Sequence, residues 1–575
     1  MATKKTTKTE KAKAPVKKTK TSVKEEVKEV KASVKKEVKK AEASVKEEAK
    51  EVKKAVKEEA KAVKEEAKEI KEAVKKETKK TKVLFAAFEV APFVKTGGLG
   101  DVAGSLPGAI NSSKYEVRVV MPKLKQIAPE YVSEMKYITN FYVPLGWRNE
   151  YCGLFSLKLN GVTFYFLDNE KYFHRDKVYG EFDDGERVAF FSKAVLESIM
   201  YLPKFEPDII HANDWHTGLI PVFLREHYQA LGQYRNMKTI YTIHNLKFQG
   251  KYSETVINDI CGLKGTPAET QLLSDRDTAN YLQGGAIYAD WVTTVSPTYA
   301  EEICNDYFGE GLDWLFRKRR GNSLSGILNG IDIKEFDPET DGALEINYTK
   351  ESLQDKIKNK LALQKELGLK EDPDIPLFVI ISRLTEQKGL DLVTYKLPQI
   401  VEANMQLAIL GVGDYHYEEA FGWYSYKHPE KIAFKKEFNG ALSHRMYAAA
   451  DVVMVPSRFE PCGLTQMYAM RYGALPLVRE TGGLVDSVCA YYVFNTEFDE
   501  NGVEKIYDNQ DVATGFAFPN FNADDFIGKV YQALDIWFNK RDLWKKMQKN
   551  AMEANFSWSQ SAEEYRKLYD LILGK

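Results

Sequence analysis

Short apolar runs that end in polar or glycine residues recur along the chain from residue 82 onward. In the first half, such runs lie at residues 83–88, 116–121, 161–167, 207–211, 239–243 and 291–296. Between them, residues 187–202 carry apolar side chains at helical spacing. Strands that alternate with helices predict a doubly wound α/β domain, and we place its boundaries at residues 81 and 325.

The second half repeats this pattern. Residues 327–332, ILNGID, are typical of a connection between two lobes, and a charged helical segment follows at 350–369. New apolar runs then begin at 376–382, 406–410, 451–456 and 475–478. Residues 326–555 are therefore predicted to form a second doubly wound lobe.

Polar side chains follow two strands of the first lobe. The run at 207–211 leads into Asn213, Asp214 and His216, and the run at 239–243 leads into His244 and Asn245. A ligand crevice needs polar groups where parallel strands end. We interpret His211 as a structural histidine and His244 as a functional one. His216 stays open between the two interpretations.

A glycine-rich turn follows the first predicted strand. It reads Lys95-Thr-Gly97-Gly98-Leu-Gly-Asp101 and opens an apolar helical segment. A strand, a glycine loop and a helix N-terminus allow backbone amides to approach a phosphate closely. An ordinary βα turn is the alternative interpretation of this stretch alone.

Cations and a carboxylate follow strands of the second lobe. Arg383 and Lys388 come directly after the run at 376–382, and a diphosphate would satisfy both, although a surface ion pair is the alternative. The run at 451–456 leads into Glu460 and a turn of Cys462, Gly463 and Leu464 before a helix. We expect the amides of this turn to matter and the Cys462 thiol to be passive.

The N-terminal 80 residues have no aromatic residue and no glycine, so they cannot form a core. Residues 1–22 are predicted to be disordered. An 11-residue repeat begins at Val23, with Val or Ala at its first, fifth and eighth positions, and this period gives 3.67 residues per turn. A solvated helical spacer, a right-handed coiled coil and a contact with an anionic surface all stay open. Our hypothesis is that residues 1–80 act as a tether, whose partner the sequence does not identify.

Composition narrows the partners and the compartment. The 28 Lys and 16 Glu of residues 1–80 give this tail a charge of +12, so the remainder carries −13 within the chain's total of −1. An acidic body is a poor binder of phosphate backbones, so we predict no nucleic-acid partner. No apolar run is long enough for a transmembrane segment. Five scattered cysteines and the lack of an apolar signal region favour the cytoplasm.

Seven motifs in order carry a family resemblance. They are KTGGLGDV at 95–102, DWHTG at 214–218, TIHNLKFQG at 242–250, NGID at 329–332, SRLTEQKG at 382–389, SRFEPCGLTQ at 457–466 and TGGL at 481–484. With these motifs, residues 81–575 resemble the bacterial glycogen synthase and plant starch synthase family of retaining glucosyltransferases. The resemblance implies a GT-B fold, in which two Rossmann-like lobes face each other across a cleft. It also implies that residues 556–575 form a helix that returns to the first lobe.

The resemblance further implies ADP-glucose as the donor and glycogen or another α-1,4-glucan as the acceptor, with the second lobe on the nucleotide-sugar side. The implied catalytic residues are Glu460, His244, Lys388 and Arg383. The implied donor-binding residues are Lys95, Gly97, Gly98, Asn245, Gly413, Phe438, Cys462, Gly463, Leu464 and Thr465. The implied acceptor-side residues are Asp101, Asp214 and His216. Phe438 stands where the family often has Tyr, and Tyr468 where neighbouring families have a second Glu.

These residues suggest a mechanism without a cofactor or a metal. Arg383, Lys388 and the loop dipoles can receive the charge of the leaving diphosphate. With no clear nucleophile, we expect the acceptor 4-hydroxyl to attack on the face that the diphosphate leaves. Two alternatives remain from the sequence. One is the same reaction with UDP-glucose or another nucleotide sugar, and the other is a glycan-binding scaffold without catalysis.

Overall fold

The computed structural model describes residues 22–77, 80–498 and 504–575. The chain divides into two units, residues 1–79 and 80–575. In the first unit, α1 (Ser22–Glu77) is one helix of 56 residues. The disorder expected for residues 1–22 falls almost wholly outside the described residues.

Twelve strands lie in the first half of the second unit. They are β1 (Thr81–Ala86), β2 (Tyr115–Pro122), β3 (Lys136–Leu145), β4 (Arg148–Leu159), β5 (Val162–Asp168), β6 (Ile209–Asn213), β7 (Lys238–Ile243), β8 (Lys251–Ser253), β9 (Leu273–Asp275), β10 (Thr278–Asn280), β11 (Trp291–Thr294) and β12 (Leu324–Gly326). Nine form one sheet in the order β12-β11-β7-β6-β1-β2-β5-β4-β3, and β8, β10 and β9 form a small antiparallel sheet. Only the β3–β4 and β4–β5 pairs of the large sheet are antiparallel.

The second half contains a six-stranded parallel sheet in the order β15-β14-β13-β16-β17-β20. Its strands are β13 (Leu377–Ile381), β14 (Gln406–Leu410), β15 (Ile432–Lys435), β16 (Val452–Val455), β17 (Leu475–Arg479) and β20 (Phe516–Phe518). A separate hairpin pairs β18 (Val493–Phe498) with β19 (Glu504–Asp508). The two predicted Rossmann-like lobes are confirmed.

The helices surround these sheets. Those of the first half are α2 (Gly98–Ile110), α3 (Pro129–Glu134), α4 (Glu170–Phe173), α5 (Asp184–Ser198), α6 (Leu219–Phe223), α7 (Thr255–Asp259), α8 (Ala268–Gln271), α9 (Tyr281–Tyr288), α10 (Pro297–Glu302) and α11 (Asp313–Arg319). Those of the second half are α12 (Lys356–Leu367), α13 (Leu390–Glu402), α14 (Tyr415–Lys427), α15 (Gly440–Ala449), α16 (Thr465–Arg471), α17 (Gly482–Ser487), α18 (Ala523–Asn539), α19 (Arg541–Glu553) and α20 (Trp558–Leu573). Within the described residues, no helix has both the length and the apolar character that a bilayer crossing requires.

Each large sheet has a point at which its strand order reverses. In the first sheet, β1 lies between β2, which follows it in the chain, and β6, which comes later. In the second sheet, β13 likewise lies between the next strand, β14, and the later strand β16. Loops that leave adjacent strands in opposite directions open a crevice at the carboxyl ends of those strands. The two reversal points, β1/β6 and β13/β16, therefore position the candidate site.

The last helix packs on the first lobe. Trp558, Tyr565 and Tyr569 of α20 belong to the core that contains β1 and β6. The Tyr569 hydroxyl lies 2.9 Å from Nδ1 of His211, and Arg566 donates to the carbonyl oxygen of Ile110 at the end of α2. The chain therefore crosses between the lobes a second time after α19.

Candidate active site

The loop after β1 is anchored by a buried carboxylate, Glu89. Its side chain is 3% exposed, and its Oε2 accepts hydrogen bonds from the backbone N–H of Thr96, at 2.6 Å, and from the Thr96 hydroxyl. Burial raises the pKa of Glu89, while the bonds from Thr96 oppose that rise. This contact fixes the turn immediately before Gly97 and the start of α2.

The N-terminus of α2 offers free donors. Within the described residues, no protein oxygen accepts a hydrogen bond from the amides of Gly97, Gly98 or Leu99. A Cβ built on Gly98 would meet no atom within 4 Å, so open space lies beside this amide. Lys95, the cation of the loop, forms a 2.6 Å ion pair with Asp101 of α2.

Asp214, directly after β6, supports the turn after β7. Its Oδ1 accepts from the backbone N–H of His244 at 2.7 Å, and the amide of Asn245 also donates to it. Burial raises the pKa of Asp214 to about 7 despite these bonds. Asp214 has a φ of +56°, so the backbone departs from the extended conformation at this residue.

His244 is partly buried, and it is uncharged at neutral pH. Burial lowers its pKa to about 3. The Asn213 amide nitrogen donates to carbonyl oxygens of Ala86 and His211, so its Oδ1 faces His244 Nε2 at 2.9 Å. His244 must therefore carry its proton on Nε2, which leaves Nδ1 as an acceptor.

The other two histidines of this edge are packed in the interior. His211 lies between the Tyr569 hydroxyl and Thr242 Oγ1, as the structural interpretation requires. His216 stacks between Phe88 and Tyr179, with ring centroids at 5.3 and 4.6 Å. Burial lowers the pKa of both to about 3. The imidazole of His216 is therefore held by ring stacking below the carboxyl ends of the strands. Among the described residues, its Nδ1 has no hydrogen-bond partner.

The second lobe presents charged groups at the carboxyl ends of β13 and β16. We call this the second-lobe edge, and the carboxyl ends of β1, β6 and β7 the first-lobe edge. Lys388 follows β13 and forms a 2.6 Å ion pair with Glu460 Oε2, which also accepts from the Ser457 hydroxyl at 2.9 Å. Glu460 is 6% exposed. Arg383 is exposed, and no hydrogen bond or ion pair of its guanidinium occurs among the described residues. The sequence left open that Arg383 and Lys388 each belong to a surface ion pair. Within the described residues, this alternative does not hold for Arg383.

The turn after Glu460 offers a second set of free amides. Within the described part of the chain, the amides of Cys462, Gly463 and Leu464 donate to no protein oxygen, and Thr465 begins α16. Gly463 has a φ of +72°, a conformation that favours glycine. Burial raises the pKa of the Cys462 thiol to about 12, so it is protonated at neutral pH.

Two other donor-side expectations lie near the surface of this lobe. Phe438 is 93% exposed in the loop before α15, so its ring faces are free. Gly413 approaches the β13 turn so closely that a Cβ would lie 2.2 Å from the Leu384 carbonyl oxygen. The amide of Gly413 already donates to Glu418 Oε1 at 2.9 Å, so this residue shapes the turn by its backbone.

Direct contacts join the lobes beside these edges. The Ser296 hydroxyl donates to the carbonyl oxygen of Pro461 at 2.6 Å, and Pro461 directly follows Glu460 in the sequence. Thr298 of α10 donates to Asp486 of α17 through its amide and its hydroxyl. Glu302 of α10 accepts from the Gly482 amide at 2.9 Å. Through these bonds the first lobe holds the Glu460 turn directly.

Together the two edges supply what an anionic leaving group and an uncharged sugar require. Unbonded amides at two helix N-termini, with Arg383 and Lys388, form an environment for a phosphate group. The partly buried, uncharged His244 offers an acceptor for a hydroxyl. Sequence analysis missed Glu89 and Ser457 as supports of the site, and it named Asn213 as a polar residue at a strand end without a role. A polar residue at each strand end was the signal that could have found all three.

Comparisons with known proteins agree with this geometry. The family described as "Starch synthase catalytic domain" matches residues 82–318, and the family described as "Glycosyl transferases group 1" matches residues 359–553. Curated relatives include a glycogen synthase of Lachnospira eligens, 47% identical over 85% of this chain and 99% of the relative. A glycogen synthase of Clostridium novyi is 42% identical over 86% of this chain and 99% of the relative.

A solved structure is similar over the same extent. It is the catalytic domain of starch synthase IV from Arabidopsis thaliana bound to ADP and acarbose, with a TM-score of 0.77 and 31% identity over 86% of this chain and all of that one. The predicted family and the GT-B fold are confirmed. The chain belongs to the glycogen and starch synthase family, and it is a glycosyltransferase with glycogen or starch synthase function.

Proposed function

We propose that the enzyme transfers glucose from ADP-glucose to the non-reducing 4-hydroxyl of an α-1,4-glucan, with retention of configuration. In this proposal the second lobe binds the nucleotide sugar, the glycine loop of the first lobe adds contacts to its diphosphate, and the first lobe also binds the acceptor. The observation that carries it concerns the described residues. Among them, amides at both reversal points have no protein acceptor, the Arg383 guanidinium has no partner, and Lys388 pairs with Glu460.

The diphosphate is the anion that these groups fit. Gly97 and Gly98 at the start of α2, and the turn from Cys462 to Leu464 before α16, can each donate amides to phosphate oxygens. Arg383 can bind the same group through two parallel hydrogen bonds, whereas Lys388 supplies a point charge. We assign Lys95, Gly97, Gly98, Arg383, Lys388 and the 462–465 turn to the diphosphate.

The loop of Phe438 is the proposed contact for the nucleobase. The exposed Phe438 ring offers a face on which a base can stack. The starch synthase IV structure, 31% identical, contains ADP, and we propose the same nucleotide for this chain. Acarbose in the same structure supports an α-glucan as acceptor.

The reaction must break a bond between glucose and phosphate while positive charge develops on the sugar. Arg383, Lys388 and the free amides stabilise the leaving diphosphate. The acceptor hydroxyl attacks on the face that the diphosphate leaves, and a departing phosphate oxygen takes its proton. His244 Nδ1 and Asn245 orient the sugar hydroxyls, and Glu460, through its second carboxylate oxygen, accepts from another. No protein nucleophile takes part.

Glucose transfer into glycogen tests the proposal, with ADP-glucose and UDP-glucose at equal concentration and with and without primer. A strong preference for ADP-glucose is expected. A preference for UDP-glucose would keep the reaction and reassign the nucleobase. If the folded protein transfers glucose from neither donor, the proposed reaction is wrong.

We also propose that the enzyme works in the cytoplasm. All five cysteines are unpaired, and four of them are buried, as in a reducing compartment. Fractionation of the source cells, with the enzyme found outside the cytoplasmic fraction, would contradict this location.

A further inference from the structure

The exposed apolar stripe of α1 is unusual for a surface helix. Between residues 27 and 65, the first, fifth and eighth positions of the 11-residue repeat hold only Val or Ala. The eight valines among them are each 49–63% exposed: Val27, Val30, Val34, Val38, Val45, Val52, Val56 and Val63. We call these positions the valine stripe. It runs for about 54 Å along the helix, at 1.5 Å per residue.

The charges beside the valine stripe are sorted by side. At 11 residues per three turns, the stripe covers about 33° on either side of its centre line. The fourth position of the repeat flanks it on one side, and this position is always Glu, here Glu37, Glu48 and Glu59. The ninth and second positions flank it on the other side. These are Lys31, Lys35, Lys46, Lys53, Lys57 and Lys64, with Glu42 as the exception.

This sorting selects a partner and an orientation. In two parallel helices related by a two-fold axis along the stripe, each flank faces the opposite flank of the other helix. The Glu flank of one copy then lies across from the Lys flank of the second copy on both sides of the seam. In an antiparallel pair, Glu would face Glu and Lys would face Lys, which is repulsive.

We propose that α1 pairs in parallel with α1 of a second copy of this chain, along the valine stripe. The 11-residue period predicts a right-handed coiled coil. Its 3.67 residues per turn exceed the 3.6 of an ideal α-helix, so two helices that keep the stripe in contact must supercoil to the right. Valine and alanine are small, so the pairing is reversible and concentration-dependent. The pairing is also additional to catalysis, since the curated relatives align over 99% of their length while about 15% of this chain stays unmatched.

Sedimentation equilibrium of the full chain over a concentration series tests the pairing. We expect the mass to rise toward twice that of the 65.6 kDa chain. Val34→Glu with Val45→Glu places two charges in the stripe and is expected to halve that mass. The matched control, Ala32→Glu with Ala43→Glu, adds the same charge at the tenth position, on the opposite face, and is expected to keep the dimer. Circular dichroism verifies that both variants keep the helix.

Cysteine crosslinking tests the orientation. In a Cys489→Ser background, which removes the one exposed natural thiol, Val34→Cys and Val56→Cys are prepared as separate full-length proteins. A parallel pair in register gives a disulfide in each protein alone, and little crosslinking between the two proteins when they are mixed. Both dimers must retain glucose transfer at the level of the parent.

Several results would overturn the proposal. A monomer at every concentration would show that α1 stays alone or binds elsewhere, including the acidic body. A dimer that survives the Val34→Glu, Val45→Glu change would place the interface outside the stripe. A mass of three or more copies would exclude a pair. Crosslinks only between Val34→Cys and Val56→Cys would show an antiparallel arrangement.

Discussion

The two lobes have the same strand order at their reversal points but different ionisable groups there. The first-lobe edge holds ionisable groups that are partly buried. Burial depresses the pKa of His244 to about 3 and raises the pKa of Asp214 to about 7. The second-lobe edge holds an ion pair, Lys388 with Glu460, and the guanidinium of Arg383, which has no partner in the part of the chain that the structure describes.

This difference shows how one architecture serves two ligands. The reversal of strand order creates a crevice in both lobes, irrespective of the side chains that line it. A buried edge of low charge suits hydroxyl groups, because hydrogen bonds are strong where water is excluded. An edge with free cations and amides suits a diphosphate. The side chains after β1, β6, β13 and β16 therefore decide which part of the ligands each lobe binds.

The largest expected effect comes from removing the central cation of the second edge. Lys388→Ala should lower kcat by about 10²–10³, because the leaving diphosphate loses a preorganised positive charge. Initial rates at saturating donor measure it. Lys350→Ala is the control, since Lys350 forms a surface ion pair with Glu553 in the same lobe. A rate for Lys388→Ala within a few-fold of the parent would contradict the charged-edge assignment.

The next effect concerns the pH dependence of stability at the first edge. The folded-state pKa of Asp214 is about 7, above its unfolded value, so the folded protein holds a proton that the unfolded chain releases. The carboxyl group therefore costs stability as pH rises from about 4 to 7. Asp214→Asn removes this cost. Relative to the parent, the free energy of unfolding of Asp214→Asn should rise by about 3 kcal/mol between pH 4.5 and 7.

Denaturant titrations at the two pH values give this difference. Asp176→Asn is the control, because Asp176 is an exposed partner of Lys125. A difference between parent and Asp214→Asn that does not change with pH would mean that Asp214 is not buried as an uncharged group. The first edge would then be charged, like the second.

A smaller effect is expected from the anchor of the glycine loop. Glu89→Ala leaves the Thr96 amide and hydroxyl without their acceptor, so the amides of Gly97 and Gly98 lose their position. We expect KM for the nucleotide sugar to rise by about ten-fold, as for the loss of one hydrogen bond to a carboxylate. Glu89→Gln keeps an acceptor oxygen and should restore most of the affinity. If Glu89→Ala and Glu89→Gln lose affinity equally, Glu89 acts through its charge instead.

The smallest effect tests the rim of the second edge. Phe438→Ala should raise KM for the nucleotide sugar by about five-fold, because base stacking on an aromatic ring contributes about 1–3 kcal/mol and an exposed ring such as Phe438 lies at the lower end of that range. Phe438→Tyr should leave KM nearly unchanged. Tyr426→Ala, which removes an exposed ring on α14, is the control. An unchanged KM in Phe438→Ala would show that the nucleobase does not stack on the Phe438 ring.

Local patterns explain why much of the fold could be predicted. Apolar runs bounded by glycine and polar residues marked β1, β2, β5, β7 and β13, with ends displaced by one or two residues. The hairpin of β3 and β4 was not predicted, because its exposed face carries tyrosines and its alternation is broken by an irregularity between Tyr137 and Thr139. Edge strands follow their neighbours more than their own propensity.

The sequence by itself determined the features that depend on near neighbours along the chain. The 11-residue repeat specifies α1, since helix periodicity is local, and the order of the motifs identifies the family. Only the tertiary structure decided which distant groups meet: Glu460 with Lys388, Asp214 with the His244 amide, and Asn213 with the His244 ring. These contacts set protonation and tautomer through burial, and burial depends on the whole packed lobe.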